Sequence, residues 1–280
     1  MPAAAIVVDV VRLEEQMLLK ALREYMNVSI VNVRSRALEI GINGFDAAVI
    51  RPISMYRAAY TAASFEAAGV FTVNSSQTIM TAGDKLLAYT RLAAARIPIP
   101  RSFYAADIDA ALEAASRLGY PVVVKAPVGS WGRLVSRADT PEELEQLARM
   151  RQELPCSQTR SMIIQEYLDS GSSDIRCIVV AGTLLGCIKR VAQNGEWRSN
   201  VALGARIEVY KPDPVLEDIT VRAAAVVKGF FVSIDVFKDD ERGYLVNEVN
   251  GVPEFKGFYR ATGINPARRL AEAILEELKH

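Results

Sequence analysis

Three polar residues near the end of the chain have the types and spacing of a metal site. Glu248 and Asn250 are two apart in the strand-like run YLVNEVN, so they share a face. Centring the preceding hairpin turn on Asp240–Gly243 sets Asp235, in VSIDVFK, directly opposite Glu248. Like charges across a ladder repel. Asp235, Glu248 and Asn250 together make the hard oxygen set that holds Mg²⁺ alongside substrate phosphates. A solvated sheet face would carry the same carboxylates, but Ile234, Val236, Val246 and Val249 make both strands read as buried. A second constellation is PVVVKAPVGSWGRL. Lys125 ends an apolar strand and supplies a point charge, and Gly129 and Gly132 let backbone N–H groups approach an anion closely. The lysine precedes the glycines, so this is not a Walker A loop; nor does it have dinucleotide-fingerprint spacing. A plain β-hairpin loop fits the same residues. A third group is basic: Arg176 and Arg190 flank a hairpin and could reach one cleft, with Lys189, Arg198 and Asn200 nearby. Guanidinium groups suit carboxylates and phosphates; ordinary surface charge accounts equally for Arg198.

These groups need elements to position them. Strand-like AIVVDV, VSIVNV, AAVIRP and FTVN alternate with helical EEQMLLKALREY and SMYRAAYTAASFEAAG, which predicts a parallel sheet of about 75 residues. Residues 76–96 read as helical, with Asp84-Lys85 opening a helix after Gly83, and Pro98 and Pro100 forcing extended chain beyond. Strand, helix and strand follow, then the loop 128–134, a return strand, and a helix opened by Thr140-Pro141-Glu142-Glu143. SMIIQEYL (161–168) is a further strand. The last third begins with a hairpin around Ala181-Gly182-Thr183. If Val180 pairs with Leu184, Cys177 falls opposite Cys187, and two buried thiols are expected in preference to a disulfide. A helix over 219–230, the two strands of the metal hairpin and an amphipathic helix over 266–279 complete the chain.

Composition narrows the chemistry. With 33 basic and 33 acidic residues among 280, phosphate neutralisation alone would not bind nucleic acid, and no nucleic-acid partner is expected. Half the residues are hydrophobic and 24% are charged, which excludes a disordered chain. No uncharged apolar run reaches 18 residues, so no membrane span is expected. MPAAAIVVDV reads as a first strand rather than a signal peptide, and the expected location is the cytoplasm. Three scattered Cys argue against a disulfide scaffold or a Cys-based zinc site. The single His, His280, removes His-dependent triads and multi-His metal sites.

The order Asp84-Lys85, Lys125, GSWGR, Gln165-Glu166-Tyr167, Asp174-Ile175-Arg176, Arg190, Asn200, Asp235 and Asn247-Glu248-Val249-Asn250 resembles an ATP-grasp ligase of the RimK-like branch, over about 85 to 260. GSWGRL and NEVN…EF are similar to its LysX/ArgX group, which ligates an amino acid to the C-terminal glutamate of the small acidic carrier protein LysW in lysine or arginine biosynthesis. The resemblance implies an α/β (α+β lobes) ATP-grasp fold with an N-terminal parallel-sheet pre-ATP-grasp domain. It divides the chain into a pre-ATP-grasp unit (1–80), a central subdomain (81–170) and a C-terminal subdomain (171–280) that carries the Mg/ATP and substrate site. It further implies that Lys85 and Lys125 contact ATP phosphates and that Gly129, Ser130, Trp131, Gly132 and Arg133 cover them. Gln165, Glu166, Tyr167 and Leu168 would meet adenine through backbone groups, with Asp174 towards the ribose. Asp235, Glu248 and Asn250 would hold Mg²⁺, as two ions. Arg190, Asn200 and Arg176 would attend the transferred phosphoryl group.

By the same resemblance the segment Glu254-Phe255-Lys256-Gly257-Phe258 decides the amino acid. Gly257-Phe258 resembles the glutamate-accepting type, and a bulky Phe258 shortening a pocket by a methylene suits glutamate over aminoadipate. A loop glycine and a packing aromatic would look the same. The implied reaction is ATP-dependent joining of the glutamate α-amine to the carrier's γ-carboxylate through an acylphosphate. Aminoadipate as substrate, use of both amino acids, and a non-catalytic nucleotide-binding protein of the same fold are the alternatives. Arg51, Arg57 and the Arg198 region are candidates for docking an acidic carrier, and a homo-oligomer, a homotetramer by resemblance, is expected. One departure is Leu203, where relatives carry Arg in Arg-Gly-Gly; Arg206 is the candidate substitute.

Overall fold

The computed structural model describes residues 1–129, 132–169, 172–193 and 204–279. The first unit contains β1 (Ala3–Val8), α1 (Leu13–Leu22), β2 (Asn27–Asn32), β3 (Ala47–Ile50), α2 (Met55–Glu66) and β4 (Phe71–Val73). Its four strands are parallel in the order β2-β1-β3-β4, as expected for apolar strands alternating with helices. Next come α3 (Ser76–Gly83) and α4 (Lys85–Ala94), and Asp84 divides them. Its carboxylate accepts the N–H groups of Leu86 (2.9 Å) and Leu87 (3.1 Å), an N-cap that places Lys85 on the first turn of α4.

β5 (Ser102–Ala105), α5 (Ile108–Leu118), β6 (Val122–Lys125), β7 (Val135–Ala138), α6 (Pro141–Gln152), α7 (Ser157–Arg160) and β8 (Met162–Glu166) follow. Their antiparallel sheet has the order β5-β8-β6-β7. β9 (Ser173–Val180), β10 (Thr183–Val191), β11 (Arg206–Tyr210), α8 (Pro214–Val226), β12 (Phe231–Asp239) and β13 (Gly243–Asn250) build a second antiparallel sheet ordered β11-β10-β9-β12-β13. α9 (Lys256–Thr262) and α10 (Pro266–Glu277) complete the described chain.

One core joins the first unit to the last. Ile6 of β1 and Leu18 and Leu22 of α1 pack with Ile178, Ile188 and Phe231 of the five-stranded sheet and with Leu270 and Ile274 of α10. Buried Asn74 clasps the same junction. Its amide donates to the carbonyls of Phe231 (2.5 Å) and Gly251 (2.7 Å), and its oxygen accepts from the N–H groups of Phe230 (2.8 Å) and Phe231 (3.0 Å). The opposite face of that sheet, including Val179, Ile234 and Val236, packs under α8 and α4.

Three expectations change, and one helix is added. Cys177 and Cys187 face each other as anticipated but are joined as a disulfide. Val180 pairs with Thr183 rather than Leu184, and a bulge between Leu184 and Gly186 restores the register at the cysteines. α8 starts at Pro214, not 219, because Asp213 caps it by accepting the Leu216 N–H at 2.9 Å and Pro214 occupies its first turn. Residues 256–262, for which the sequence suggests no element, form helix α9.

Candidate functional site

The hairpin β12–β13 sets Asp235 opposite Glu248, as the sequence predicts, by an unexpected route. Asp239 pairs with Gly243, so the turn is tighter than expected, and the extra residue Asn247 bulges out before Glu248 pairs with Asp235. A bulge turns consecutive residues towards the same side. Asn247 Oδ1 thereby accepts from Lys125 Nζ at 2.8 Å while Glu248 pairs with Lys85 Nζ at 3.1 Å. Asn247 is the site residue missed in the sequence; its signal lies in the turn geometry rather than in its spacing.

The two lysines converge from different elements. Lys85 Nζ also donates to the Gly129 carbonyl at 2.7 Å, tying α4 to the glycine-containing loop. Lys125, at the end of β6, donates to Gln165 Oε1 at 2.6 Å. Burial, aided by the Lys85 charge, pushes the Lys125 ammonium group down to about 7. Gln165 is itself buried, and its amide donates to the hydroxyls of Tyr89 (3.0 Å) and Ser102 (2.9 Å). Its side chain therefore orients Lys125, leaving only its backbone for a nucleotide. β8 ends at Glu166, short of Tyr167 and Leu168. Glu166 Oε1 accepts from the Arg101 N–H (2.7 Å) and Arg242 (2.7 Å), and Arg137 stacks 4.4 Å over the Tyr167 ring. In the loop, a Cβ on Gly129 would stand 3.3 Å from the Arg133 carbonyl, and Gly132 has φ +71°. Ser130 and Trp131 lie outside the described residues, as do Arg198, Asn200 and Leu203.

On the same face of the five-stranded sheet lies a buried network of two arginines and two aspartates. Arg176 donates from Nε and Nη2 to the two oxygens of Asp235, each at 2.7 Å. Arg190 donates from Nε to Asp174 Oδ1 at 2.6 Å, from Nη2 to Asp174 Oδ2, and from Nη2 to Asp235 Oδ2 at 2.9 Å. Burial opposes the Asp235 charge, but Arg176 and Arg190 overcome it and hold its carboxyl at about 2. Asp174, expected towards the ribose, instead commits both oxygens to Arg190 and is only 4% exposed. Arg206 does not stand in for the missing arginine. It pairs across from Val191 while Ile207 pairs with Arg190, so strand alternation turns it to the other face, where it meets Glu208.

The oxygen types of Glu248 and Asn250 suit Mg²⁺, whereas both oxygens of Asp235 are taken up by Arg176 and Arg190. Among the described residues no group of three or more His, Cys, Asp or Glu is placed to hold a metal. Asn250 adds an amide to the two carboxylates, and its buried Nδ2 has no partner. Glu248 and Asn250 line a cavity of about 450 Å³, with Gly129 and Arg133 of the loop and Asp9, Tyr56 and Arg57 of the first unit on its walls. Asp235 stands behind it, held by arginines.

A second cavity, about 330 Å³, is lined by Arg176, Arg190, Ile207, Glu254, Gly257 and Phe258. The segment singled out in the sequence thus meets the two arginines. Phe258 is 1% exposed, packed in the shared core. A Cβ on Gly257 would come within 2.8 Å of Ile207 Cδ1, so glycine lets α9 approach β11. Glu254 pairs with Arg12 at 2.6 Å. Arg51 does not face solvent: it is 1% exposed and cannot dock a partner. Arg57 is half-exposed and pairs with Asp9 at 2.8 Å.

Residues 82–274 match the RimK-like ATP-grasp domain, and residues 4–81 match the LysX preATP-grasp domain. The chain is 44% identical over 274 residues to glutamate–LysW ligase ArgX of Sulfurisphaera tokodaii, covering 97% of each protein. It is 35% identical over 238 residues to alpha-aminoadipate–LysW ligase LysX of the same organism, covering 85% of this chain and 83% of that protein. A RimK domain ATP-grasp protein from Sphaerobacter thermophilus superposes with TM-score 0.77 at 22% identity, over 98% of this chain and 99% of that one. D-alanine–D-alanine ligase from Bacillus anthracis superposes with TM-score 0.71 at 16% identity, over 100% and 99%. Lysines converging on a glycine-containing loop, a carboxylate–amide face and two family matches in series lead to one conclusion: the chain belongs to the RimK-like ATP-grasp family, with a LysX-type preATP-grasp domain at its N-terminal end.

Proposed function

We propose that the chain ligates the α-amino group of glutamate to the C-terminal glutamate γ-carboxylate of the carrier protein LysW, at the expense of ATP. The observation that carries this reading is the cavity beside Arg176 and Arg190, closed by Gly257 and Phe258. The relatives at 43–44% identity over nearly the whole chain are named glutamate–LysW ligases, which supports the same choice.

A carboxylate does not react with an amine at neutral pH, because its leaving group is poor. ATP activates the carrier carboxylate as an acylphosphate, and the amine then displaces phosphate. Lys85, bonded to the Gly129 carbonyl of the glycine-containing loop, and Lys125 neutralise phosphate oxygens. Asp235, Glu248 and Asn250 would hold Mg²⁺, as two ions, which supplies charge neutralisation at the transferring phosphoryl group. Arg190 and Arg176 face the cavity where the acylphosphate and amino acid meet. Glu254, on the same wall, offers a carboxylate to the ammonium group. Catalysis is then positioning and electrostatics, with no covalent enzyme nucleophile.

The test is ADP release with Mg²⁺-ATP and purified carrier, adding glutamate or aminoadipate separately. Release with glutamate and carrier, and a one-glutamate mass gain on the carrier, is expected. One methylene is worth about 1–3 kcal/mol, roughly 10–200-fold. Release with aminoadipate alone would sink the amino-acid assignment and keep the ligase.

A further inference from the structure

Behind the second cavity lies a buried charged cluster that the mechanism leaves unused. Arg51, at the end of β3, donates from Nε to Glu15 Oε1 at 3.0 Å and from Nη1 to the Pro253 carbonyl at 3.0 Å. Glu14 is fully buried, and its Oε1 accepts the Lys256 N–H at 3.3 Å. That N–H opens α9, whose N-cap residue Phe255 brings no capping side chain, so Glu14 caps the helix from another element. Arg12 holds Glu254 at 2.6 Å and bonds Glu15 through both Nε (3.1 Å) and Nη2 (3.0 Å). Three grips, on 253, 254 and 256, therefore come from the first unit. Buried charge is costly unless paired, and ordinary α9 packing needs none of it.

We propose that Arg51 and Glu14 are positioning residues for amino-acid selection: they fix the backbone of 253–256 from the first unit, and so set the depth of the cavity that Gly257 and Phe258 close. The selectivity part rests on the ligase reading above; the positioning part does not. Neither side chain lines the cavity, so both act through the backbone that carries Glu254, Gly257 and Phe258. The planar guanidinium matters because it spans Glu15 and Pro253 together, which a lysine ammonium group cannot reproduce in the same geometry.

Two variants test it, Arg51→Lys and Glu14→Ala, with Arg149→Ala as a control in an exposed helix pair. Hydrogen–deuterium exchange is read over 253–262, together with KM for glutamate, aminoadipate and ATP. Expected are at least about tenfold faster exchange confined to that segment, a glutamate KM raised about tenfold, a glutamate-to-aminoadipate preference moved towards parity, and an unchanged ATP KM, tenfold being about 1.4 kcal/mol. A general loss of folding would raise exchange everywhere and move the ATP KM too. Folded variants with wild-type exchange and wild-type amino-acid KM would overturn the proposal, as would equal shifts in the ATP and glutamate KM. If the wild type uses neither amino acid, the ligase reading and its selectivity part fall, and exchange alone still decides whether Arg51 and Glu14 hold the segment.

Discussion

Lys125 carries an amine into a corner with almost no water, and its behaviour with pH follows from that. Its pKa falls from 10.5 to about 7 on folding, so between those values the unfolded chain binds more protons than the folded one. The cost of burying the charge is full below pH 7, on the order of a few kcal/mol, and is relieved as pH rises towards 10.5. Lys125→Met removes that cost, so its stability relative to wild type is expected to be best near pH 6 and to decline towards pH 10, read by chemical denaturation. On the proposed reading, phosphate oxygens placed beside the same amine would restore its proton. Nucleotide binding at pH 8 is therefore expected to take up close to one proton, measured by calorimetry in buffers of different ionisation enthalpy, and Lys125→Met should abolish the uptake. Asp174 has a simpler role: it is the partner that lets Arg190 stay charged while buried. Asp174→Ala is expected to cost about 3–5 kcal/mol, since it leaves a buried arginine with one carboxylate fewer. An unaltered denaturation midpoint would refute this. Most of these residues were legible by type, because lysines, arginines and carboxylates in an apolar setting announce chemistry. Their pairing was not: Asp174 and Arg190 lie on different strands, and only the register brings them together.

At the scale of elements, both hairpins reach the expected pairing with one residue fewer in the turn and one extra in a strand. Opposition of Asp235 to Glu248 and of Cys177 to Cys187 follows from alternation and turn position, so it was readable. The bulges were not, because a bulge depends on backbone twist and on contacts beyond the hairpin. Here the beneficiary is Lys125, which gains Asn247 as an acceptor, and Tyr89, whose hydroxyl donates to the Asn247 carbonyl at 2.7 Å. Deleting Asn247 would close the ladder into a regular hairpin with Asp235 still facing Glu248. The fold should survive, while the ATP KM should rise about tenfold for the loss of one charge-assisted hydrogen bond. Wild-type ATP affinity in the deletion variant would show that the bulge serves the hairpin alone. α9 escaped the sequence reading for a related reason. Its helix start is capped by Glu14, some 240 residues away in the chain, and no local signal marks it.

For the whole molecule, the decisive feature is that the first unit buries one face in a core of its own and the other in a core shared with the last third of the chain. Ile6, Leu18 and Leu22 meet Phe231, Leu270 and Ile274, so residues from both ends of the chain bury one another. Leu270 is fully buried there, and Leu270→Ala is expected to cost about 2–5 kcal/mol while shifting a single cooperative transition rather than splitting it. Separate transitions for the first unit and the rest would contradict a shared core. The parallel sheet of the first unit and the hairpins of the last third were legible from the change between alternating strand–helix segments and hairpins; the sharing of the core was not, because hydrophobic periodicity shows which face is apolar but not what covers it. The clasp at Asn74 has a practical corollary for engineering. A chimera that exchanges residues 1–81 between relatives cuts between two family modules, yet leaves α1 facing a foreign α10 and Asn74 facing foreign carbonyls. Exchanges that carry α10, the Phe230–Phe231 backbone and Gly251 along with the first unit keep these contacts, so the transplantable piece of this protein is discontinuous along its gene.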